Sequence, residues 1–314
     1  MQQSTNPPNN PCIAILMCTY NGETYLADQL DSIAAQTNQH WKLYVSDDRS
    51  TDNTLAILAQ YQQHWGVGKI EILCGPSKGS STNFLSLACK SGIEADFFAF
   101  CDQDDVWLPN KLDVALYYLL SQDQTKPQLY GGRTTNVDES LNIMGASPLF
   151  VFPCGFRNAL VQSFAGGNTM VFNRVARQLL CTANITEVPI HDWWTYLLIS
   201  GAGGNVFLDP NSYILYRQHS QALIGANTST TARLKRIFSV WRGELQTWTN
   251  QHVIALKQCY SMLDTQSKKT LDAFVRLRGG SLHQRLQMLN TCGLYRQTWR
   301  GTFMLYFAIL MNKL

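Results

Sequence analysis

The sequence predicts an α/β protein with a mainly parallel central sheet, followed by a C-terminal helical appendage. Three observations carry this. Short apolar runs alternate with helix-period segments over the first hundred positions. Carboxylates and amides gather where those runs end. Beyond about residue 228 the texture turns to long helical stretches, and the sign of the charge reverses.

Residues 13–18, IAILMC, form a continuous apolar run suited to a buried strand. Tyr25, Leu26, Leu30 and Ile33 follow at three- and four-residue spacing, the mark of an amphipathic helix. Residues 43–46 make a second strand, after which Ser50 or Thr51 is placed to cap a helix carrying Leu55, Ile57, Leu58 and Tyr61. Strands over 70–73 and 97–101 enclose a helix through Phe84, Leu85 and Leu87. Crossovers of this length give right-handed units and parallel pairing, and ligands bind beyond the carboxyl ends of such strands. Those ends are Thr19-Tyr20-Asn21, Asp47-Asp48 and Asp102 to Asp105. Residues 130–227 mix short strands with loops rich in Gly and Asn, such as Gly166-Gly167-Asn168, and one helix starts near Asp192. The divisions are a flexible N-terminus (1–11), an α/β domain (12–227) and a basic helical region (228–314).

Of the 314 residues 45% are hydrophobic and 15% charged, enough for a sizeable core and contrary to disorder. The first ten are polar, without the basic and apolar regions of a signal peptide. Nine cysteines are scattered singly with no C-x-x-C pair, which opposes a disulfide framework or zinc site and fits a reducing cytosol. Residues 1–227 hold 12 Lys and Arg against 19 Asp and Glu, a balance of −7; residues 228–314 hold 13 against 3, or +10. A basic tail on an acidic body suggests an anionic partner, lipid head groups or nucleic acid.

Phe100-Cys101-Asp102-Gln103-Asp104-Asp105 ends a strand in three carboxylates within four positions. That much like charge is unfavourable without compensation. Hard oxygen ligands suit Mg²⁺ or Mn²⁺, which take one or two carboxylates and complete their shell with phosphate and water. A solvated acidic turn accounts for the same residues equally well. Asp47-Asp48 offers a carboxylate that can accept the imide N–H of uracil or thymine, or simply serve a capped turn. Thr19-Tyr20-Asn21-Gly22 is not G-x-G-x-x-G, which disfavours a dinucleotide-binding dehydrogenase. In His191-Asp192-Trp193-Trp194 a carboxylate lies beside two indoles; a partly desolvated Asp is a better base, and Trp faces stack on sugars. Asp192 alone also reads as a helix N-cap. Tyr216-Arg217-Gln218-His219 adds an Arg fork suited to a diphosphate and an imidazole able to ligate a metal.

In this order, I-A-I-L-M-C-T-Y-N-G (13–22), V-S-D-D-R-S-T-D (45–52), F-C-D-Q-D-D-V-W (100–107), H-D-W-W (191–194) and Y-R-Q-H (216–219) resemble the family 2 glycosyltransferases of the GT-A fold, over roughly residues 12–225. The phrase C-D-Q-D-D-V-W-L-P-N-K with the two later motifs looks most like bacterial rhamnosyltransferases of O-antigen and cell-wall polysaccharide assembly. The resemblance implies inverting, metal-dependent transfer of a sugar to a saccharide acceptor. The donor it implies is dTDP-L-rhamnose, with a UDP-sugar as the alternative. It implies that Thr19, Tyr20 and Asn21 line the nucleotide, that Asp47 or Asp48 reads the base, and that Lys78 and Asn83 reach the donor. Asp102 and Asp104 match the D-x-D, Asp104 being the more direct ligand of Mg²⁺ or Mn²⁺, with His219 a further one. Arg217 is expected on the pyrophosphate. Asp192 matches the catalytic base, and Trp193, Trp194 and Gly167 are expected at the acceptor sugar. The chain departs from the pattern twice: His191-Asp192 replaces a common Glu-Asp, and Asp47-Asp48-Arg49-Ser50 replaces D-D-G-S.

Residues 294–314 combine Arg296, Arg300 and Lys313 with Trp299, Phe303, Met304, Leu305, Tyr306, Phe307 and Ile309. The longest apolar stretch, 303–311, is far short of the ~20 residues of a spanning helix. An interfacial helix, basic on one side and aromatic on the other, fits; so does a packed helix or dimer contact. On the interfacial reading the protein is cytoplasmic, peripheral on an anionic membrane face, with a lipid-linked acceptor. The competing classes are a nucleotidyltransferase, which would want a Gly-rich phosphate loop at Tyr20-Asn21-Gly22, and a non-catalytic saccharide or nucleic-acid binder. The acidic sheet edge opposes nucleic acid.

Overall fold

A computed structural model describes residues 11–219 and 244–314. Residues 1–10 of the expected flexible N-terminus, and the boundary near residue 228, lie outside the described residues.

β1 (Ile13–Thr19) is buried along its whole length. Because successive side chains point to opposite faces, Ile13, Ile15 and Met17 enter one core cluster while Ala14, Leu16 and Cys18 enter another. The sheet is therefore covered on both sides, which is why its strands read as apolar runs rather than alternations. On the first side α1 (Leu26–Ala34), α2 (Thr54–Trp65) and α4 (Lys111–Leu120) bury Leu30, Leu58 and Leu116. On the other lie α3 (Ser80–Ala88), the single turn α5 (Phe156–Ala159), α6 (Arg174–Ala183) and α7 (His191–Gly201).

The remaining strands are β2 (Trp41–Asp47), β3 (Ile70–Cys74), β4 (Phe97–Cys101), β5 (Val106–Trp107), β6 (Gln128–Val137), β7 (Ile143–Ala146), β8 (Val171–Asn173) and β9 (Asn205–Arg217). Their order is β3-β2-β1-β4-β8-β6-β9-β5, with β7 paired to β6. Pairing is parallel from β3 to β4, as expected. Beyond β4 it is mixed: β8 runs antiparallel to β4 and β6, while β6 and β9 are parallel. Chain order reverses between β1 and β4, so the crevice at their carboxyl ends is the switch point where open α/β sheets bind ligands.

Two local expectations are corrected. Of the strands expected to be short over 130–227, β7 and β8 have four and three residues, but β6 and β9 run ten and thirteen. The glycines that interrupt the pattern serve packing: a Cβ on Gly131 would meet Phe164 at 2.7 Å. Nor does Ser50 or Thr51 cap α2, which starts at Thr54 after Asn53; the Ser50 hydroxyl instead donates to Asp47.

The C-terminal part consists of α8 (Glu244–Gln258), α9 (Thr265–Gly279), α10 (Leu282–Cys292) and α11 (Trp299–Leu310). Leu256, Phe274, Leu305 and Ile309 share one buried cluster with Trp194 and Tyr196 of α7. At about 1.5–3 kcal/mol per buried large apolar side chain, this contact ties the helical region firmly to the α/β body. Among the described residues no helix is long and apolar enough to cross a membrane.

Candidate active site

The ends of β1, β2 and β4 bring the first two motifs and the D-x-D side by side, with Thr19 in register with Asp47 and Met17 with Cys101. Asp47 is buried and fully engaged: Oδ1 accepts from the Thr19 and Ser50 hydroxyls at 2.8 and 2.5 Å, and Oδ2 from the Ser50 amide at 2.9 Å. Asp48 is half-buried and accepts amides of Ser77 and Gly79, which shapes the 77–79 loop. Asn21, at a left-handed φ of 48°, donates its amide to the Ser50 hydroxyl and accepts from the Thr51 amide. Tyr20 keeps 60% of its surface exposed.

Two expected donor contacts are occupied elsewhere. Asn83 is 1% exposed and ties α3 to β2, its Nδ2 donating to the Ser46 carbonyl at 3.0 Å and its Oδ1 accepting the Ser46 hydroxyl. Lys78 forms an exposed ion pair with Glu187 at 2.9 Å, a contact of little energy that a ligand can displace.

At the D-x-D, Asp104 Oδ2 lies 2.9 Å from His219 Nε2, so the end of β9 meets the β4–β5 turn. Tyr25 supports the imidazole at a ring separation of 5.0 Å. Burial, then the charges of Asp104 and Asp192, push the Asp102 carboxyl up from its ordinary range. Asp105 is 0% exposed, accepts from Asn168 Nδ2 at 2.6 Å and from the Arg217 amide, and is likewise pushed up by burial and its acidic neighbours. Tyr216 sits among all these carboxyls, its phenol raised by burial and by Asp102, Asp105, Asp104 and Asp192. The described residues contain no ready cage of three or more His, Cys, Asp or Glu. What they contain is an oxygen–imidazole pair within an accumulation of carboxyls that a divalent cation would relieve, and this donor chemistry fits Mg²⁺ or Mn²⁺.

Arg217 is a correction. Its side chain is 2% exposed and all three nitrogens are hydrogen-bonded: Nε to the Asp104 carbonyl at 3.0 Å, one terminal nitrogen to Asp28 Oδ2 at 2.7 Å, the other to the Glu139 carbonyl. The guanidinium also stacks on Tyr25 at 4.4 Å. It braces the D-x-D turn against α1 and the β6–β7 turn through three of its five N–H donors, and it is buried rather than turned to the crevice.

Asp192 lies in the first turn of α7. It is not the N-cap, a position held by Ile190. Its Oδ2 accepts the Gly167 amide at 2.9 Å, while its Oδ1 is buried without a partner. Burial pushes the carboxyl up to about 6, against the pull of the Gly167 and Trp193 amides. Gly167 is the residue that allows this approach, since a Cβ there would stand 2.4 Å from His191 Nε2. His191 stacks on Phe84 at 4.1 Å and is held neutral, its pKa lowered to about 3 by burial. The two indoles do not fit their expected place at an acceptor sugar. Trp194 is 0% exposed and Trp193 5%, with Trp193 Nε1 donating to the Ala159 carbonyl. Every residue of α7 after Asp192 is buried, so the helix leaves no platform there.

A model of "Glycosyl transferase family 2" matches residues 14–177, which include the nucleotide-side motifs and the D-x-D. The chain belongs to this family. Its resemblance extends to a dTDP-rhamnosyl transferase, RfbG of Shigella flexneri, 28% identical over 242 residues that cover 70% of this chain and 78% of that one. Solved structures of like fold include S. aureus TarS 1–349 in complex with UDP (TM-score 0.56, 16% identity, 87% of this chain and 73% of that chain). Another is the mannosyltransferase PcManGT of Pyrobaculum calidifontis with GDP-Man and Mn²⁺ (TM-score 0.54, 17% identity, 99% and 88%). The fold is thus that of the GT-A glycosyltransferases, with C-terminal helices added.

Four residues at this sheet edge are not singled out by the sequence as site candidates: Gly22 and Gln103, although they lie within quoted motifs, Tyr25 and Tyr216. Tyr216 was within the quoted Y-R-Q-H and carried a signal. Tyr25 fits the helical spacing of α1, and nothing in that spacing distinguishes its ring as a support for His219.

Proposed function

We propose that this glycosyltransferase transfers L-rhamnose, with inversion, from dTDP-β-L-rhamnose to a lipid-linked saccharide in bacterial surface polysaccharide synthesis. The observation that carries the chemistry is Asp192, a carboxyl with one oxygen fixed by Gly167, the other unpartnered, and a pKa of about 6. A base with that pKa is largely ionised at neutral pH yet basic enough to take a hydroxyl proton during attack. Asp192 removes the acceptor proton as its oxygen attacks the anomeric carbon opposite the leaving diphosphate. A single displacement of this kind turns a β-L donor into an α-L-rhamnoside. A Mg²⁺ or Mn²⁺ held by Asp104 and His219, with Asp102 beside it, would supply charge neutralisation for the diphosphate. Arg217 acts by holding the Asp104 turn. Asp47 is spent on Thr19 and Ser50 and Asp48 holds the Ser77 and Gly79 amides, so of the two, Asp48, the less buried, is the one proposed to read the base.

The rhamnose donor is supported by the likeness to RfbG; the TarS–UDP likeness supports a UDP-sugar instead. Transfer assays with dTDP-L-rhamnose, UDP-glucose, UDP-galactose and UDP-N-acetylglucosamine, each with and without Mn²⁺, separate the two. Preference for dTDP-L-rhamnose is expected; preference for a UDP-sugar would discard the substrate and leave the chemistry standing.

Attachment to the inner membrane face is supported by α11. The helix is apolar on both sides: Leu305 and Ile309 are buried, while Trp299, Phe303, Met304, Phe307 and Met311 are exposed beside Arg300. Its outward face is thus aromatic with Arg300 among it, rather than split into an aromatic and a basic side. Phe152, whose backbone is tied to Gln297 just before the helix, is exposed, as are Leu149 and Val151 in the same loop. Each Lys or Arg near an anionic surface contributes about 1 kcal/mol. Phe303→Ser/Phe307→Ser is expected to lose co-sedimentation with phosphatidylglycerol liposomes at low salt, with soluble-acceptor transfer retained. Wild type that ignores such liposomes would sink the attachment.

A further inference from the structure

Gln103 stands between the two carboxylates of the D-x-D, and the chemistry above gives it no task. Its side-chain amide is spent entirely on one residue of the neighbouring loop. Oε1 accepts the Tyr20 amide at 2.9 Å, and Nε2 donates to the Tyr20 carbonyl at 3.1 Å. The β1–β4 backbone ladder ends at the Met17–Cys101 pair, so this side chain carries the pairing of the two segments three residues further. The facing loop is shaped around it. Asn21 takes a left-handed φ of 48°, and a Cβ on Gly22 would lie 2.4 Å from Gln103 Oε1 and 2.6 Å from its Cδ.

We infer that Gln103 is a positioning residue for nucleotide binding, holding the Tyr20 segment at a fixed height beside the D-x-D. The nucleoside side and the diphosphate side of the donor site then keep one separation, and Gly22 is the space that lets the clamp close. This rests on the nucleotide-sugar reading of the site. Tyr20, with both backbone polar atoms clamped, presents only its exposed ring to a ligand.

The test is calorimetric titration of the full-length protein with dTDP and Mn²⁺, alongside thermal melts. Loss of two hydrogen bonds at an ordinary net value each is expected to weaken dTDP binding about tenfold in Gln103→Ala. Its melting temperature should stay within a few degrees of wild type, and in transfer assays KM should rise more than kcat falls. Gly22→Ala, which pushes the same amide aside, should weaken binding to a similar extent. The double variant should be no weaker than the worse single one, because both changes break one clamp. Wild-type affinity in Gln103→Ala, or losses that add in the double variant, would overturn the inference while leaving the enzyme reading intact. If wild type binds neither dTDP nor UDP, the nucleotide-sugar reading fails and this inference fails with it.

Discussion

Asp192→Asn is expected to lower transfer by ~10²–10⁴-fold, the usual contribution of a general base, and at neutral pH to make the protein more stable. The two effects share a cause. Burial lifts the folded carboxyl to about 6, while in the unfolded chain it titrates at the ordinary ~3.9. The unfolded state therefore ionises first as pH rises, and above pH 6 the folded state carries the full penalty of a desolvated charge. At about 1.4 kcal/mol per pH unit the penalty is on the order of 2–3 kcal/mol. Asn removes it and can still accept the Gly167 amide. The gain in melting temperature should fade as pH falls through 6 and vanish below about 4, where both states are protonated. Wild-type activity of the free enzyme should rise through the same pH 6 region. A loss of activity under about fivefold would remove Asp192 from the base role, and nucleotide binding should persist in the variant.

Asp104→Ala is expected to nearly abolish transfer, again without unfolding. The residue gives His219 its 2.9 Å partner, and the cation site proposed there would lose its principal oxygen. Metal stabilisation of developing charge is worth several kcal/mol, on the order of 10²–10⁴ in rate. Stability should hold or improve, because the Asp104 charge raises both Asp102 and Asp105. Full turnover of wild type in excess EDTA would refute the metal role.

Much of the framework was legible because its signals are local. β1, β2 and β4 announce themselves as apolar runs, and α1 by the spacing of Leu26, Leu30 and Ile33. The reactive sheet edge followed from where those runs end. What was not legible depends on which way a side chain turns. Asp47 and Asp48 are neighbours with the same chemistry, yet one is consumed by Thr19 and Ser50 and the other faces the 77–79 loop. Trp193 and Trp194 look like sugar platforms in sequence, but the helix that carries them is buried around its circumference. Arg217 has the donors for a diphosphate; only the positions of Asp28 and Glu139, brought from 189 and 78 residues away, show where they go. Motifs locate these residues at the sheet edge, while their hydrogen-bond partners come from segments far away in the chain.

The central claim is a single displacement assisted by Asp192, and the configuration of the product tests it most directly. NMR coupling at the anomeric carbon of the product made from a β-linked nucleotide sugar should report an α-glycoside. A product that keeps the donor's β configuration would contradict the account, since a single in-line displacement cannot give it.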